Sequence, residues 1–91
     1  MDQKIQIKFS DEDIKGRYSN AAQITHTKEE FILDFMNLFA PAGILVSRVV
    51  VSPGHAKRLL NVLTQQVKTY ETTFGPLEQS EEPRNIGFKL D

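Results

Sequence analysis

A carboxylate in the middle of an apolar segment is the first candidate for chemistry in this sequence. Asp34 lies within residues 30–39, where Phe, Ile, Leu and Met predominate. Because a lone buried carboxylate is costly, Asp34 must be paired, close to solvent or functional. Arg48, in the next apolar segment, offers it a cation. Two interpretations follow: a cross-strand ion pair that fixes the register or an oligomer interface, and an acid that binds a ligand or takes part in catalysis.

Two polar residues upstream of Asp34 occupy alternate positions in a predicted strand. Tyr18 and Asn20 belong to residues 17–26. They lie on the same face of a sheet as Asp34 if the turn at 27–29 has three residues. This placement predicts either a pocket shared with Asp34 or polar side chains that only fill the sheet.

A third candidate group lies at the start of a long helix. His55, Lys57 and Arg58 occupy its beginning, beside backbone N–H groups that have no partner within the helix, which is typical of anion sites. A solvated basic helix face is the alternative. The segment has a single glycine and does not form a phosphate-binding loop.

The remaining residue types argue against metal and covalent chemistry. Cysteine is absent, and the two histidines, His26 and His55, have no metal-ligand spacing with Asp34. No Ser/His/Asp arrangement, no pair of carboxylates at working distance and no thiol nucleophile can be argued from spacing. We therefore expect no catalytic residue, no metal and no cofactor, and a protein that is not an enzyme.

The longest predicted element is a helix over residues 53–74. Ser52 is a preferred N-cap, Pro53 suits the first helical position, and Gly75 followed by Pro76 ends the helix. Apolar residues recur at intervals of four and three, which is a strict heptad. This apolar seam consists of Ala56, Leu60, Leu63, Val67, Tyr70 and Phe74, with Leu59 beside it. At about 33 Å the helix exceeds the length of a six-residue strand, so it overhangs a sheet or meets a partner.

Four strands are predicted before the helix, over residues 4–9, 17–26, 30–39 and 44–51. Residues 10–16 form an acidic connection that suits one capped helical turn. A three-residue loop at 40–42, with Gly43 as a bulge at positive φ, sets the hairpin register. The predicted pairs are 34 with 48, 32 with 50, 33 with 49 and 36 with 46. Both faces of this sheet are apolar at the centre, and one helix covers only one of them.

The predicted fold is α+β, a four-stranded, mainly antiparallel sheet followed by one long C-terminal helix (β-β-β-β-α) that packs on one sheet face. Residues 1–77 form a single domain, and residues 78–91 are a linker and a disordered tail, with an edge strand at 84–90 as the alternative. The topology resembles that of the bacterial export chaperone SecB, a dimer of dimers, although no sequence motif supports that analogy.

Composition limits the classes of function. The chain has 91 residues and a formal net charge of -1, so no global basic field attracts nucleic acid or anionic lipid. The N-terminus has no apolar signal core, and the longest apolar runs are far too short to span a membrane. The lack of cysteine agrees with a reducing compartment. We expect a cytoplasmic protein without membrane association.

Several segments together resemble a known family. They are Arg17-Tyr18-Ser19-Asn20-Ala21-Ala22, Glu30-Phe31-Ile32-Leu33-Asp34-Phe35, residues 48–60 with Ser52-Pro53-Gly54-His55-Ala56-Lys57-Arg58-Leu59-Leu60, Tyr70-Glu71 and Phe74-Gly75. The pattern is similar to DUF3467, a family of uncharacterised bacterial and archaeal proteins, over about residues 4–77. The resemblance supports the architecture and implies no activity.

Three functions remain open. The first is a homo-oligomeric adaptor or chaperone-like protein that binds through apolar surface, as a homodimer or dimer of dimers, with a further protein partner. The second is a nucleic-acid-associated regulator that uses a local basic face. The third is a small-ligand binder around Asp34 and Arg48. The basic face would consist of Arg17, Lys57, Arg58 and Lys68, and the ligand site would add Tyr18, Asn20 and His55 to the central pair.

Overall fold

The computed structural model describes residues 3–79, which form a three-stranded sheet and two helices. In chain order the elements are α1 (Asp11–Lys15), β1 (Ala21–His26), β2 (Phe31–Phe39), β3 (Ala42–Val51) and α2 (Pro53–Phe74). The sheet is antiparallel in the order β1-β2-β3, so β2 is central. The predicted α+β class, the antiparallel sheet and the C-terminal helix are confirmed.

The predicted first strand is wrong. Residues 4–9 have no strand structure, and their alternating apolar side chains Ile5, Ile7 and Phe9 are exposed. Alternation defines which side chains share a face, but a strand also needs a neighbour that supplies hydrogen bonds. Within residues 3–79 the sheet has three strands instead of the four predicted, and the four-stranded topology behind the SecB analogy is not found.

The acidic connection does form the single helical turn predicted for it. Ser10 is the N-cap of α1, and its hydroxyl accepts a hydrogen bond from Asp13 N at 3.1 Å. The Asp13 carboxylate accepts in return from Ser10 N at 3.1 Å, which completes a capping box. Both hydrogen bonds favour the charged carboxylate and hold the pKa of Asp13 below its usual value.

The turn between β1 and β2 has four residues instead of three. Thr27 N donates to Glu30 O at 2.9 Å, and the Thr27 hydroxyl accepts from Glu29 N and Glu30 N at 3.2 and 3.3 Å. The pairing therefore places Gln23 opposite Asp34. Because one residue of slip exchanges the two faces of a strand, the predicted alignment of residues 17–26 with Asp34 is wrong.

The hairpin of β2 and β3 confirms three of the four predicted pairs. Asp34 pairs with Arg48, Ile32 with Val50 and Leu33 with Val49, as predicted. Met36 pairs with Leu45 and not with residue 46, because a bulge leaves Val46 without a register partner.

The loop of this hairpin also differs from the prediction. A two-residue turn, Ala40 and Pro41, joins the strands, and β3 begins at Ala42. Gly43 is paired within the strand opposite Leu38 and has no positive φ, so the predicted bulge at Gly43 is wrong. A Cβ at residue 43 would lie 2.7 Å from Leu38 Cδ2, the end of a flexible side chain, so a larger residue there would require Leu38 to move.

The predicted bounds of the long helix are confirmed. The Ser52 hydroxyl accepts from His55 N at 3.2 Å, and Pro53 occupies the first turn. Gly75, with φ of 104°, follows the last turn and donates its N–H to Glu71 O at 2.9 Å.

The predicted packing of the helix on the sheet is wrong. No residue of α2 is buried, and the principal contacts between elements are those of β2 with β1 and β3. The reason is the connection, because Ser52 alone separates β3 from α2. A strand-to-helix reversal that lays a helix back over its sheet normally uses a longer loop.

The buried core of the described residues is small and centred on β2. Its members are Ala21, Leu33, Asp34 and Met36. The predicted disordered tail, with its alternative strand at 84–90, lies almost wholly beyond the described residues.

Candidate functional site

Asp34 and Arg48 form a bidentate ion pair across β2 and β3. Arg48 Nε donates to Asp34 Oδ1 at 2.6 Å, and Arg48 Nη2 donates to Asp34 Oδ2 at 3.0 Å. Asp34 is 3% exposed, whereas the Arg48 side chain is 49% exposed. The planar guanidinium matches both carboxylate oxygens, which is the geometry that only arginine offers. The Arg48 side chain therefore covers the Asp34 carboxylate, while part of the Arg48 side chain itself remains in contact with solvent.

The pair fixes the charge state of both groups. Hydrogen bonding by Arg48, helped by its charge, holds the pKa of Asp34 below the ordinary value of 3.8, although burial acts in the opposite direction. The same hydrogen bonds and the carboxylate charge raise the pKa of Arg48. Asp34 is thus an anion at neutral pH and has no proton to donate, which argues against a general acid.

The pH dependence of stability should report this pair. Because the folded pKa of Asp34 is depressed, its contribution is fully present above the unfolded pKa, near 3.8, and is lost as the pH falls through the lower folded pKa. We expect Asp34→Asn to lower the melting temperature at pH 7, and the difference from the wild type to shrink steadily below about pH 4. Thermal unfolding from pH 7 to 2 measures this. A difference that stays constant down to pH 2 would contradict it.

The residue beside the pair that sequence reasoning missed is Gln23. It lies opposite Asp34 in β1 and is partly buried, so Gln23, Asp34 and Arg48 form one row across the sheet. The signal that identifies it is Thr27, since a hydroxyl at the start of a turn often accepts the next backbone N–H groups and closes a longer loop.

Tyr18 and Asn20 do not join Asp34. Tyr18 precedes β1 and is 74% exposed. Asn20 closes the end of the sheet instead: its Nδ2 donates to Leu38 O at 2.9 Å and its Oδ1 accepts from Leu38 N at 2.8 Å. With these two bonds the amide imitates a further strand residue, so Asn20 has a structural role at this position.

The bulge creates a face that differs from the predicted one. Leu45 now pairs with Met36 on the Asp34 side of the sheet, and Ile44 pairs with Asn37 on the other side. The predicted pair of residues 36 and 46 would put Ile44 on the Asp34 side and Leu45 on the other side. The opposite face carries the row of Ile24, Leu33 and Val49, and we call it the Leu33 face. Ile24 and Val49 are exposed there.

The basic residues of α2 divide between two directions. Arg58 Nη2 lies 3.3 Å from His55 Nδ1 within the first turns. Lys57 and Lys68 are three turns apart on one side of the helix, while Arg58 points about 100° away from Lys57. Arg17 binds the sheet, since its Nη1 donates to Val46 O at 3.2 Å. No side-chain hydrogen bond or ion pair joins these residues to Asp34 within the described chain.

Metal ligands are not assembled in the part of the chain that the structure describes. No group of three or more His, Cys, Asp or Glu side chains there has the arrangement that a metal ion needs. His26 stacks on Phe31 with ring centroids 5.3 Å apart, which accounts for it structurally. Among residues 3–79, no helix is long and apolar enough to cross a membrane.

The apolar seam of α2 is an unpartnered surface within the described residues. Leu60, Leu63 and Phe74 are 56, 59 and 73% exposed. Beyond Gly75 the chain folds back, and Leu77 N donates to Glu71 Oε2 at 3.0 Å. Leu77 then lines an open groove of about 420 Å³ with Val67, Tyr70 and Phe74. Such a run of exposed apolar side chains is unusual for a monomer and typical of a binding surface.

Comparison with known proteins identifies the family of this chain. Residues 1–79 match the family described as "Protein of unknown function (DUF3467)". The chain belongs to the DUF3467 family. The resemblance found in the sequence is thereby confirmed. No curated protein and no solved structure matches the chain.

Proposed function

We propose that this DUF3467 protein is a cytoplasmic, homo-oligomeric protein-interaction module that acts as an adaptor or in a chaperone-like manner. The observation that carries the proposal is the exposed seam of α2, a heptad of apolar residues none of which is buried within the described chain. A helix of this kind gains most of its stability from a packed apolar face, and its own sheet does not supply one. We infer that a second chain supplies it.

The sheet supplies a second surface for the adaptor role. On the Leu33 face, Ile24 and Val49 expose apolar side chains on each side of the central strand. This face is independent of the seam, so self-association and partner binding use different residues. The Asp34 and Arg48 pair then fixes the register of the hairpin, and the protein needs neither catalysis nor a cofactor for this role.

Sedimentation velocity at about 10–100 µM tests self-association. Leu63→Glu places a charge in the seam, and Val62→Glu is its matched control, because Val62 adjoins Leu63, is apolar and is about equally exposed, at 55% against 59%. We expect a dimer or larger species for the wild type and Val62→Glu, and a monomer for Leu63→Glu. A wild type that is monomeric throughout this range overturns the proposal, as does an equal effect of the two substitutions.

Affinity capture from the native cell extract tests the adaptor role. The bait variants are Val49→Glu on the Leu33 face and Val62→Glu on the helix. We expect an identified protein to be retained by the wild type and by Val62→Glu and to be lost with Val49→Glu. Equal retention by the wild type and both variants, or no retained protein at all, argues against a role for this face.

A further inference from the structure

The residues of the seam specify how a second copy lies against it. We propose that α2 packs against α2 of a second copy in the antiparallel direction, in the register that places Lys57 of each chain beside Glu71 of the other. This inference rests on the self-association proposed above and goes beyond it, because it fixes the direction, the register and the contacts of the interface.

Side-chain size supports the antiparallel direction. In an antiparallel pair of heptad helices each seam residue faces a seam residue of the other chain, and the two residue numbers have a constant sum. With that sum at 130, Phe74 faces Ala56, Tyr70 faces Leu60 and Val67 faces Leu63. All the seam residues are used, and the largest ring at one end meets the smallest side chain at the other.

Charge supports the same register independently. Lys57 and Glu71 both flank the seam on the same side, each one residue beyond a seam position. They are about 21 Å apart along one helix and so do not pair within a chain. In the register above, they meet between chains, twice by symmetry. Glu71 Oε2 accepts from Leu77 N, and the second carboxylate oxygen remains for Lys57.

The parallel direction offers neither feature. There each seam residue faces its own copy, so Ala56 faces Ala56 and leaves space, while Phe74 faces Phe74. Glu71 would lie near Gln66 of the other chain, and Lys57 would lie near the end of the other helix without a carboxylate. The antiparallel pair also aligns the helix dipoles favourably, with each positive end beside a negative end.

The groove at the end of α2 fits the same arrangement. Its apolar lining of Val67, Tyr70, Phe74 and Leu77 lies on the seam side. In the antiparallel register this region faces the first turns of the second helix, from Pro53 to Leu63. Half the surface of a cylinder about 11 Å wide and about 33 Å long is about 570 Å² per chain. The pair would therefore bury up to about 1,100 Å², which exceeds the threshold of about 1,000 Å² for a specific interface.

Charge reversal tests the register. In a dimer of the Lys57→Glu variant, a glutamate at residue 57 lies beside Glu71 of the other chain, twice per dimer. In a dimer of the Glu71→Lys variant, Lys57 lies beside a lysine at residue 71, again twice per dimer. We expect either variant alone to dimerise with a Kd raised by about tenfold or more. An equimolar mixture restores both attractive pairs only in the heterodimer, so native mass spectrometry should find heterodimer well above the statistical half.

Two controls separate pairing from other effects. Arg58→Glu changes the net charge as Lys57→Glu does, but Arg58 lies on the outer side of α2, about 100° further from the seam than Lys57, so its mixture with Glu71→Lys should show no excess of heterodimer. Glu71→Gln keeps an acceptor for Leu77 N and removes the charge, so it should weaken dimerisation less than Glu71→Lys. A dimeric wild type without an excess of heterodimer overturns this register and leaves self-association standing, whereas a monomeric wild type overturns both.

Discussion

Replacing Arg48 by methionine should lower the melting temperature by about 10 °C or more. The substitution leaves the carboxylate of Asp34, which is 3% exposed, without the two hydrogen bonds that satisfy it. An uncompensated buried charge is among the most destabilising changes in a protein. Scanning calorimetry at pH 7 measures the loss.

The double variant Asp34→Leu/Arg48→Met makes the prediction specific. Apolar residues of similar volume on both strands remove the charge and its partner together, so we expect a melting temperature close to that of the wild type. Arg17→Met is the matched control, because Arg17 makes one hydrogen bond, to Val46 O, and neutralises no buried acid. A double variant as unstable as Arg48→Met would show that the pair is not the cause.

Truncation of Met36 to alanine should have the second large effect, a fall of about 10–20 °C in the melting temperature. Met36 is 4% exposed in the central strand, beside the bulge, and its loss opens a cavity in a core that has few other members. Its carbonyl also accepts from Ser19 Oγ at 2.8 Å and from Asn20 N at 3.1 Å, so the cavity lies where the start of β1 is attached.

Val62→Ala is the control for this truncation. Val62 is 55% exposed and lies away from the seam of α2, so its truncation should change the melting temperature by no more than a few degrees. Equal losses for Met36→Ala and Val62→Ala would contradict a core centred on β2.

The sequence predicted the bounds of α2 because two signals coincide at each end, Ser52 and Pro53 at the start and Gly75 and Pro76 at the end. The hairpin register near Asp34 was predicted from a three-residue loop with a bulge at Gly43. The structure has a two-residue turn and a bulge at Val46, and this later bulge adds back the residue that the shorter turn lacks. The pair of Asp34 with Arg48 is therefore the predicted one although the loop is not.

Predictions that depended on one signal were less accurate. Alternation alone predicted a strand at residues 4–9, but it supplied no partner edge. A turn length alone placed Tyr18 and Asn20 beside Asp34, and the extra residue that Thr27 holds in the loop put Gln23 there. The bulge at Val46 has no local sequence signal, because the nearby glycine, Gly43, is paired within the strand and does not form the bulge.

The single residue between sheet and helix also couples their orientations. Ser52 has φ of −70° and ψ of 156°, and its hydroxyl holds His55 N. A rotation of only 10° at this joint moves the far end of a helix about 33 Å long by about 6 Å. A contact that shifts β3 by a small angle is therefore amplified at Phe74, and the backbone angles of Ser52 orient α2 relative to β3 while its hydroxyl caps the first turn of α2.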